Sequence, residues 1–389
     1  MSVLLLVVIL VVGIIISYIF NLIKVPKLIG YIVFGIILGY LSIFNAEMST
    51  IGGYLRKIAL VIILTRAGLS LDISKLRKLG KTAILICFIP AIFEIVATVI
   101  FGPLILPIDH LEALLLGSVL AAVSPAIIVP RMIKYKDKYN SNMPELLLAG
   151  SSVDDIFVIT VFYSVLGMFS DSSITTQLIQ LPIGIILGVG VGIVFGFLLR
   201  TIFTKLNVNK YVIVIVTLLI SLCLVLLETL VVDYIQFQSL ISIIIIGLFL
   251  TKINKIEEVK TNYNKLWFIF EIFLFVFVGG IVDLELAFNY GFEALLLLTI
   301  TLSFRSLGVL ICLIGTNINI KEKIFCVIGY LPKATVQASI GAVALSQGLE
   351  VGNLILSLAV LTILITAPLG AMLLDSTTPK LLCGDRDIK

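Results

Sequence analysis

Gly150-Ser-Ser-Val-Asp-Asp155-Ile-Phe-Val-Ile-Thr160 places two adjacent carboxylates, Asp154 and Asp155, in the middle of an apolar run. The run extends over about residues 145–169, enough to cross a bilayer as one helix, which takes about 20 residues. A charge at bilayer depth costs roughly 2.5–3.5 kcal/mol on insertion scales, and such residues usually carry function. Neighbours in a helix point about 100° apart, so both carboxylates can line one cavity while neither neutralises the other. In a poorly solvated site they repel, and either a proton or a hard monovalent cation relieves that repulsion. A group that holds one or the other, never both, is the physical minimum for exchange. The rival reading is a buried ion-pair network that only fixes helix packing. Such a network does not require a doublet of like charge.

The apolar character extends over the whole chain. Of 389 residues, 60% are hydrophobic and 13% charged, and the mean hydropathy is +1.23. A soluble domain carries about 25% charged residues, so lipid is the solvent for most of this chain. The pI near 8.7 does not point to nucleic acid, because the basic residues sit in short loops and form no stripe with interleaved aromatics. Cys87, Cys223, Cys312, Cys326 and Cys383 show no C-x-x-C spacing. Four of them lie in apolar stretches and act as small hydrophobes. The one histidine, His110, lies in a short polar break and cannot form a metal site alone. The N-terminus lacks the basic start and small-residue cleavage site of a signal peptide and reads as the first span.

The apolar pattern predicts an all-α membrane protein of about thirteen spans: 3–23, 28–44, 53–71, 82–106, 111–133, 145–169, 177–203, 210–231, 236–252, 265–282, 292–316, 322–347 and 353–375. Of the 27 Lys and Arg residues, 22 fall on the side reached after odd-numbered spans or in the C-terminal tail, and only Arg56 and Lys57 fall on the other. That bias predicts a multi-pass cell-membrane protein with its N-terminus outside and its C-terminus in the cytoplasm. Thirteen divides into a first six-helix repeat (3–169), a linker helix (177–203) and a second six-helix repeat (210–375) of opposite topology. Span 4 carries one deep charge, Glu94, and its counterpart span 11 carries Arg305. Span 5 is interrupted at Ser124-Pro125 and its counterpart span 12 at Leu331-Pro332-Lys333. Glycines 184, 188, 192 and 196 give the linker a small-residue face suited to close packing.

Pro125 and Pro332 each remove a helix hydrogen bond. The backbone groups they free are tolerated at depth only where they face protein or a wet cavity. Freed carbonyls and C-terminal helix ends there can ligate a cation, and N-terminal ends call for a balancing carboxylate. Arg66, followed by Asp72, is either a snorkelling anchor or functional. Glu271 also lies within a span, and its role has no explanation at this level.

Ala121-Ala-Val-Ser-Pro-Ala-Ile-Ile-Val-Pro130, Ser152-Val-Asp-Asp155, Ile320-Lys-Glu-Lys-Ile-Phe325 and Leu331-Pro-Lys-Ala-Thr-Val-Gln337 together resemble the monovalent cation/proton antiporter superfamily. Leu64-Thr-Arg-Ala-Gly-Leu69 and Leu364-Ile-Thr-Ala-Pro-Leu369 also match. The branch is the two-aspartate one, closest to NHA-type sodium/proton exchangers, and the likeness runs from about residue 25 to 375. The resemblance implies a homodimer, with a moving ion-transporting core (82–169 and 292–375) and a dimerisation scaffold (3–71 and 210–282). It implies that Asp155 is the obligatory ion carrier. Asp154, Ser124 and Ser152 complete the ion site. Arg305 falls where many two-aspartate members have a lysine, and its partner would be Glu94. Lys333 would then be the cation left near the aspartates. The expected cargo is Na+ or Li+ against H+, carried by alternating access with no cofactor.

Potassium/proton exchange on the same fold is the nearest alternative. A cation channel is another, although broken helices around a carboxylate pair favour a carrier. A membrane-embedded hydrolase would need a Gly-x-Gly-Asp pattern with a second aspartate on another helix, or His-Glu-x-x-His, and the chain has neither.

Overall fold

The computed structural model describes residues 2–23, 25–44, 46–70, 80–139, 141–169, 174–231, 237–333 and 335–382. Every regular element among the described residues is a helix. The first eight are α1 (Ser2–Leu22), α2 (Lys27–Tyr40), α3 (Ala46–Ser70), α4 (Gly80–Ile86), α5 (Ile89–Ile105), α6 (His110–Leu120), α7 (Pro125–Lys138) and α8 (Met143–Gly167). Then come α9 (Ile174–Lys205), α10 (Lys210–Val231), α11 (Ser239–Leu250), α12 (Ile256–Gly280) and the short α13 (Leu284–Asn289). The chain continues with α14 (Gly291–Cys312), α15 (Ile320–Gly329), α16 (Thr335–Ser346) and α17 (Gly352–Leu381). Among the described residues, 8 helical stretches are long and apolar enough to cross a membrane. Four shorter apolar helices include α6 and the body of α16. The protein is a multi-pass, all-helical membrane protein.

Contacts divide the chain into two compact units. The first comprises Met1–Asn45, Asp72–Val165 and Phe275–Lys389. At its centre α17 packs against α2, α6, α7 and each of α13 to α16. The two interrupted segments meet there. Ala121–Ser124 separates α6 from α7, and the irregular residues Leu331–Lys333 follow α15 before α16. The breaks are cross-linked, with Ser124 N–H donating to Pro332 O at 2.9 Å. Pro332 lies so close to α17 that a Cβ on Gly370 would sit 2.5 Å from the proline ring.

The second unit comprises Ala46–Leu71 and Leu166–Leu274. The glycine face of α9 lies against α11. Ser242 Oγ donates to Gly188 O at 2.6 Å, and a Cβ on Gly192 would come within 2.9 Å of Ser242 Cα. Here Arg66 is not a free anchor. Its Nε donates to Asn264 Oδ1 at 2.9 Å, its guanidinium lies over the Trp267 ring at 5.4 Å, and Glu271 acts on it electrostatically. Asp72 lies outside the described residues. Glu228 caps the start of α11 by accepting from both N and Oγ of Ser239.

The sequence pattern predicts span 4 as one continuous helix, but the structure breaks it at Cys87–Phe88, between α4 and α5. Pro90 is the reason. It cannot donate to Ile86 O four residues back. The Tyr330 hydroxyl takes that carbonyl instead, at 2.9 Å. Likewise His110, expected in a loop, is the first residue of α6, behind an Asp109/Glu112 capping box.

Candidate functional site

Pro125 has no N–H to offer Ala121 O, and Ser124 N–H is spent across the break on Pro332 O. The last turn of α6 therefore ends on two carbonyls, Leu120 O and Ala121 O, that its own helix does not satisfy. Two cations take them. Lys333 Nζ donates to Leu120 O at 2.6 Å, and Arg305 Nη1 donates to Ala121 O at 2.6 Å. Positive charge at a helix C-terminus also opposes the helix dipole favourably. The carbonyls that the sequence offers as ligands for a transported cation are thus held by the protein's own cations.

Both cations also reach Glu94, on α5. Lys333 Nζ lies 2.8 Å from Oε1 and 2.7 Å from Oε2, and Arg305 Nη1 lies 2.6 Å from Oε2. An ammonium has three protons. Lys333 has three acceptors, the two Glu94 oxygens and Leu120 O, so its donors are fully used. Arg305, on α14, extends further: Nη2 donates to Asp154 Oδ2 at 2.8 Å, and its guanidinium lies over the Tyr330 ring at 5.2 Å. Glu94, Arg305, Lys333 and Asp154 are all at most 1% exposed, and Asp155 is 3% exposed.

Two expectations change here. Glu94 and Arg305 do pair, but not exclusively, because Lys333 shares the glutamate. Lys333 acts electrostatically on both aspartates, but the cation hydrogen-bonded to Asp154 is Arg305. The physical reason is reach. The planar guanidinium presents several N–H groups in a fixed fork and can bridge Glu94, Ala121 O and Asp154 together. The compact ammonium stays where two carboxylate oxygens and one carbonyl converge.

Four buried polar atoms at or beside this cluster have no hydrogen-bond partner among the described residues: the donor Arg305 Nε and the oxygens Asp154 Oδ1, Asp155 Oδ1 and Ser124 Oγ. Ser124 joins the cluster through the backbone, three residues after the carbonyl that holds Arg305. Buried polar atoms are normally satisfied. Three acceptor-capable oxygens without donors are what a cation, or a proton and water, would complete. The side chains of Ser152 and Pro125 lie outside the described residues. Pro332 lies at the crossing. Composition and spacing gave no sign of Tyr330 or Thr366. Tyr330 closes the Pro90 break and supports Arg305, and Thr366 Oγ1 accepts the Lys333 N–H at 3.2 Å.

A family model for the sodium/hydrogen exchanger, transmembrane, matches residues 6–376. The chain belongs to the sodium/hydrogen exchanger family. Members of that family are transporters, not enzymes. Among exchanger relatives, sodium/hydrogen exchanger 9B2 of Mus musculus is 31% identical over 381 residues, spanning 92% of this chain and 68% of that protein. Sodium/hydrogen exchanger 9B1 of Homo sapiens is 32% identical over 380 residues, spanning 93% of this chain and 73% of that one. The fold is also that of the sodium proton antiporter MjNhaP1 from Methanocaldococcus jannaschii at pH 8. The TM-score is 0.85 over 99% of each chain, at 23% identity.

Proposed function

We propose that this exchanger moves Na+ or Li+ against H+ by alternating access, with both ions competing for Asp154 and Asp155. The observation that carries the reading is the unequal pairing of the buried charges. Three carboxylates, Glu94, Asp154 and Asp155, accompany two cations, Arg305 and Lys333. Glu94 and Asp154 have cationic partners at hydrogen-bond distance. Asp155 has an Oδ1 with no hydrogen-bond partner among the described residues. One negative charge is left over, and one monovalent cation or one proton balances it. Arginine stays protonated at physiological pH, and Lys333 has all three donors engaged. Proton exchange therefore falls to the aspartates. Asp155 Oδ1, Asp154 Oδ1 and Ser124 Oγ are the ligand atoms assigned to the cation, with Ser152 beside them in sequence.

Several further features belong to the same reading. Counting α4–α5, α6–α7 and α15–α16 as one crossing each, and α13 as interfacial, supports thirteen crossings in two inverted repeats. The basic loops support an external N-terminus and a cytoplasmic C-terminus in the cell membrane. The concentration of all five charges in one compact unit supports a moving core around 82–169 and 292–375; the scaffold of a homodimer is assigned to 3–71 and 210–282, of which Met1–Asn45 clusters with the core's unit. The test is proton flux in liposomes holding the purified protein, with sodium, lithium and potassium added in turn over a range of pH. Sodium- or lithium-driven proton movement supports the reading. Flux driven by potassium alone would move the cargo to potassium, and flux driven by none of the three would refute exchange.

A further inference from the structure

Gln337, on the first turn of α16, is fully buried at 0% exposure. Its Nε2 donates to Thr362 Oγ1 at 2.5 Å. Thr362 places its single hydroxyl proton on Ala359 O, at 2.8 Å, so towards the glutamine it acts only as an acceptor. With the threonine proton on Ala359 O, the contact is an amide N–H to a hydroxyl oxygen. The NH2 end faces the threonine, and Oε1 faces away from it. Oε1 has no hydrogen-bond partner among the described residues. A buried amide oxygen without a donor is costly and calls for a ligand.

Its position indicates which ligand. Thr366 accepts the backbone N–H of Lys333 at the break and donates to Thr362 O. The Gln337–Thr362 contact is therefore one helical turn, about 5.4 Å, along α17 from the contact that anchors Lys333. It lies towards the end where α16 finishes and α17 begins. One turn further along α16, Gly341 lies between α17 and α6, where its Cβ would be 3.3 Å from Ala359 Cβ and 3.6 Å from Val119 Cγ1. Gln337 lies one turn before that point on α16, held against α17, and α6, whose last carbonyls hold Lys333 and Arg305, borders the same stretch.

We propose that Gln337 Oε1 is a neutral ligand for the transported monovalent cation, or for its hydration water, on the leg of the path between the Ser346–Gly352 face and the charged centre. The inference rests on the exchange reading above and adds a specificity-determining residue to it. An amide oxygen is a hard donor suited to a small cation. Unlike a carboxylate it does not take up a proton, so it favours the cation in the competition without joining the proton half of the cycle.

The test uses the full-length protein in liposomes and initial rates against sodium, lithium and potassium at one pH. Gln337→Leu should raise the half-saturating sodium concentration about tenfold, the loss of one contact to a charged group. The ratios between the three ions should change with it. Thr362→Val, which releases the amide while keeping it, should shift both in the same direction by less, and it decides the matter if Gln337→Leu does not fold. A residue that only packs would lower thermal stability and maximal rate while leaving half-saturation and ion ratios at wild-type values. That outcome in both variants would overturn the inference. A wild type without sodium- or lithium-driven flux would instead refute the exchange reading itself.

Discussion

In the seam between α9 and α11, small residues bring two helices close enough for Ser242 Oγ to reach Gly188 O at 2.6 Å. At the breaks in α6–α7 and α15–α16, four buried charged side chains engage one another and two freed carbonyls. Both regions bury polar groups away from water, and they do it differently. The seam uses neutral backbone and a hydroxyl, and its contacts can be satisfied completely. The charged centre shares its charges, Glu94 between two cations and Arg305 between two carboxylates, and has one carboxylate more than its cations. A seam of the first kind can only hold helices together. A centre of the second kind carries one negative charge more than it pairs, and the proposed exchange rests on that excess.

The comparison is broken most severely at Asp155. Asp155→Asn keeps shape and hydrogen bonding but cannot release a proton, so cation-driven proton flux should disappear while the protein remains folded by size-exclusion chromatography. Asp154→Asn should retain part of the activity with weakened sodium affinity. Wild-type sodium exchange in Asp155→Asn would sink the assignment of the carrier.

Next in size is Glu94, which holds both cations. Glu94→Gln leaves Lys333 and Arg305 under-compensated in the interior, at a cost of about 3–5 kcal/mol. Thermal melting should show a larger loss than for Lys333→Met. In Lys333→Met, Arg305 still serves the glutamate. The double variant Glu94→Gln/Lys333→Met should recover part of the loss, and strictly additive losses would mean the two do not interact.

A change in the seam should separate stability from chemistry. Gly192→Val forces a side chain into the Ser242 backbone and should cost about 1–3 kcal/mol by overpacking. The half-saturating sodium concentration should stay at its wild-type value. A shifted affinity would mean that the seam takes part in ion binding.

Much of the charged centre is legible in the sequence, because a charge inside an apolar run is conspicuous. Glu94, Asp154, Asp155, Arg305 and Lys333 all stand out in this way. Their pairing is not legible. Whether Lys333 or Arg305 reaches Asp154 depends on how far each side chain extends once α5, α8, α14 and the second break converge. The Pro90 break is hidden for another reason: a proline in a long apolar run reads as a tolerated kink. The Tyr330 hydroxyl that completes it comes from 244 residues away. Gln337 closes the Leu331–Gln337 motif but carries no charge, and nothing in that motif assigns it a role.

The two mildest tests concern the single leftover charge. Protons and sodium competing for one carboxylate pair require the half-saturating sodium concentration to rise as pH falls, by up to about tenfold per pH unit where the site is mostly protonated. The maximal rate should change much less. The measurement is initial rate against sodium at several pH values, equal on both faces of the liposome. Constant affinity with a changing maximal rate would indicate a separate regulatory proton site. If one sodium ion replaces one proton, as proposed, the loaded centre carries the same charge in both directions. A potassium diffusion potential imposed with valinomycin, at a pH where potassium drives no flux, should leave the rate unchanged. A rate that follows the potential would require a second charge to move.

The Glu94 contacts also constrain how the protein is made. The glutamate is separated from Arg305 by 211 residues and from Lys333 by 239. At about 5–20 residues per second of synthesis, Glu94 is in place about 10 to 50 s before Lys333 exists. For that interval the early helices contain an acid without its partners, and they cannot close into their final arrangement. The nascent chain must keep that carboxyl hydrated or at the edge of the bilayer until the last third is delivered. Assembly of the transport centre is therefore a late, post-insertion event, and a ribosome stalled before residue 305 would leave a protein that is threaded through the membrane but has no finished interior.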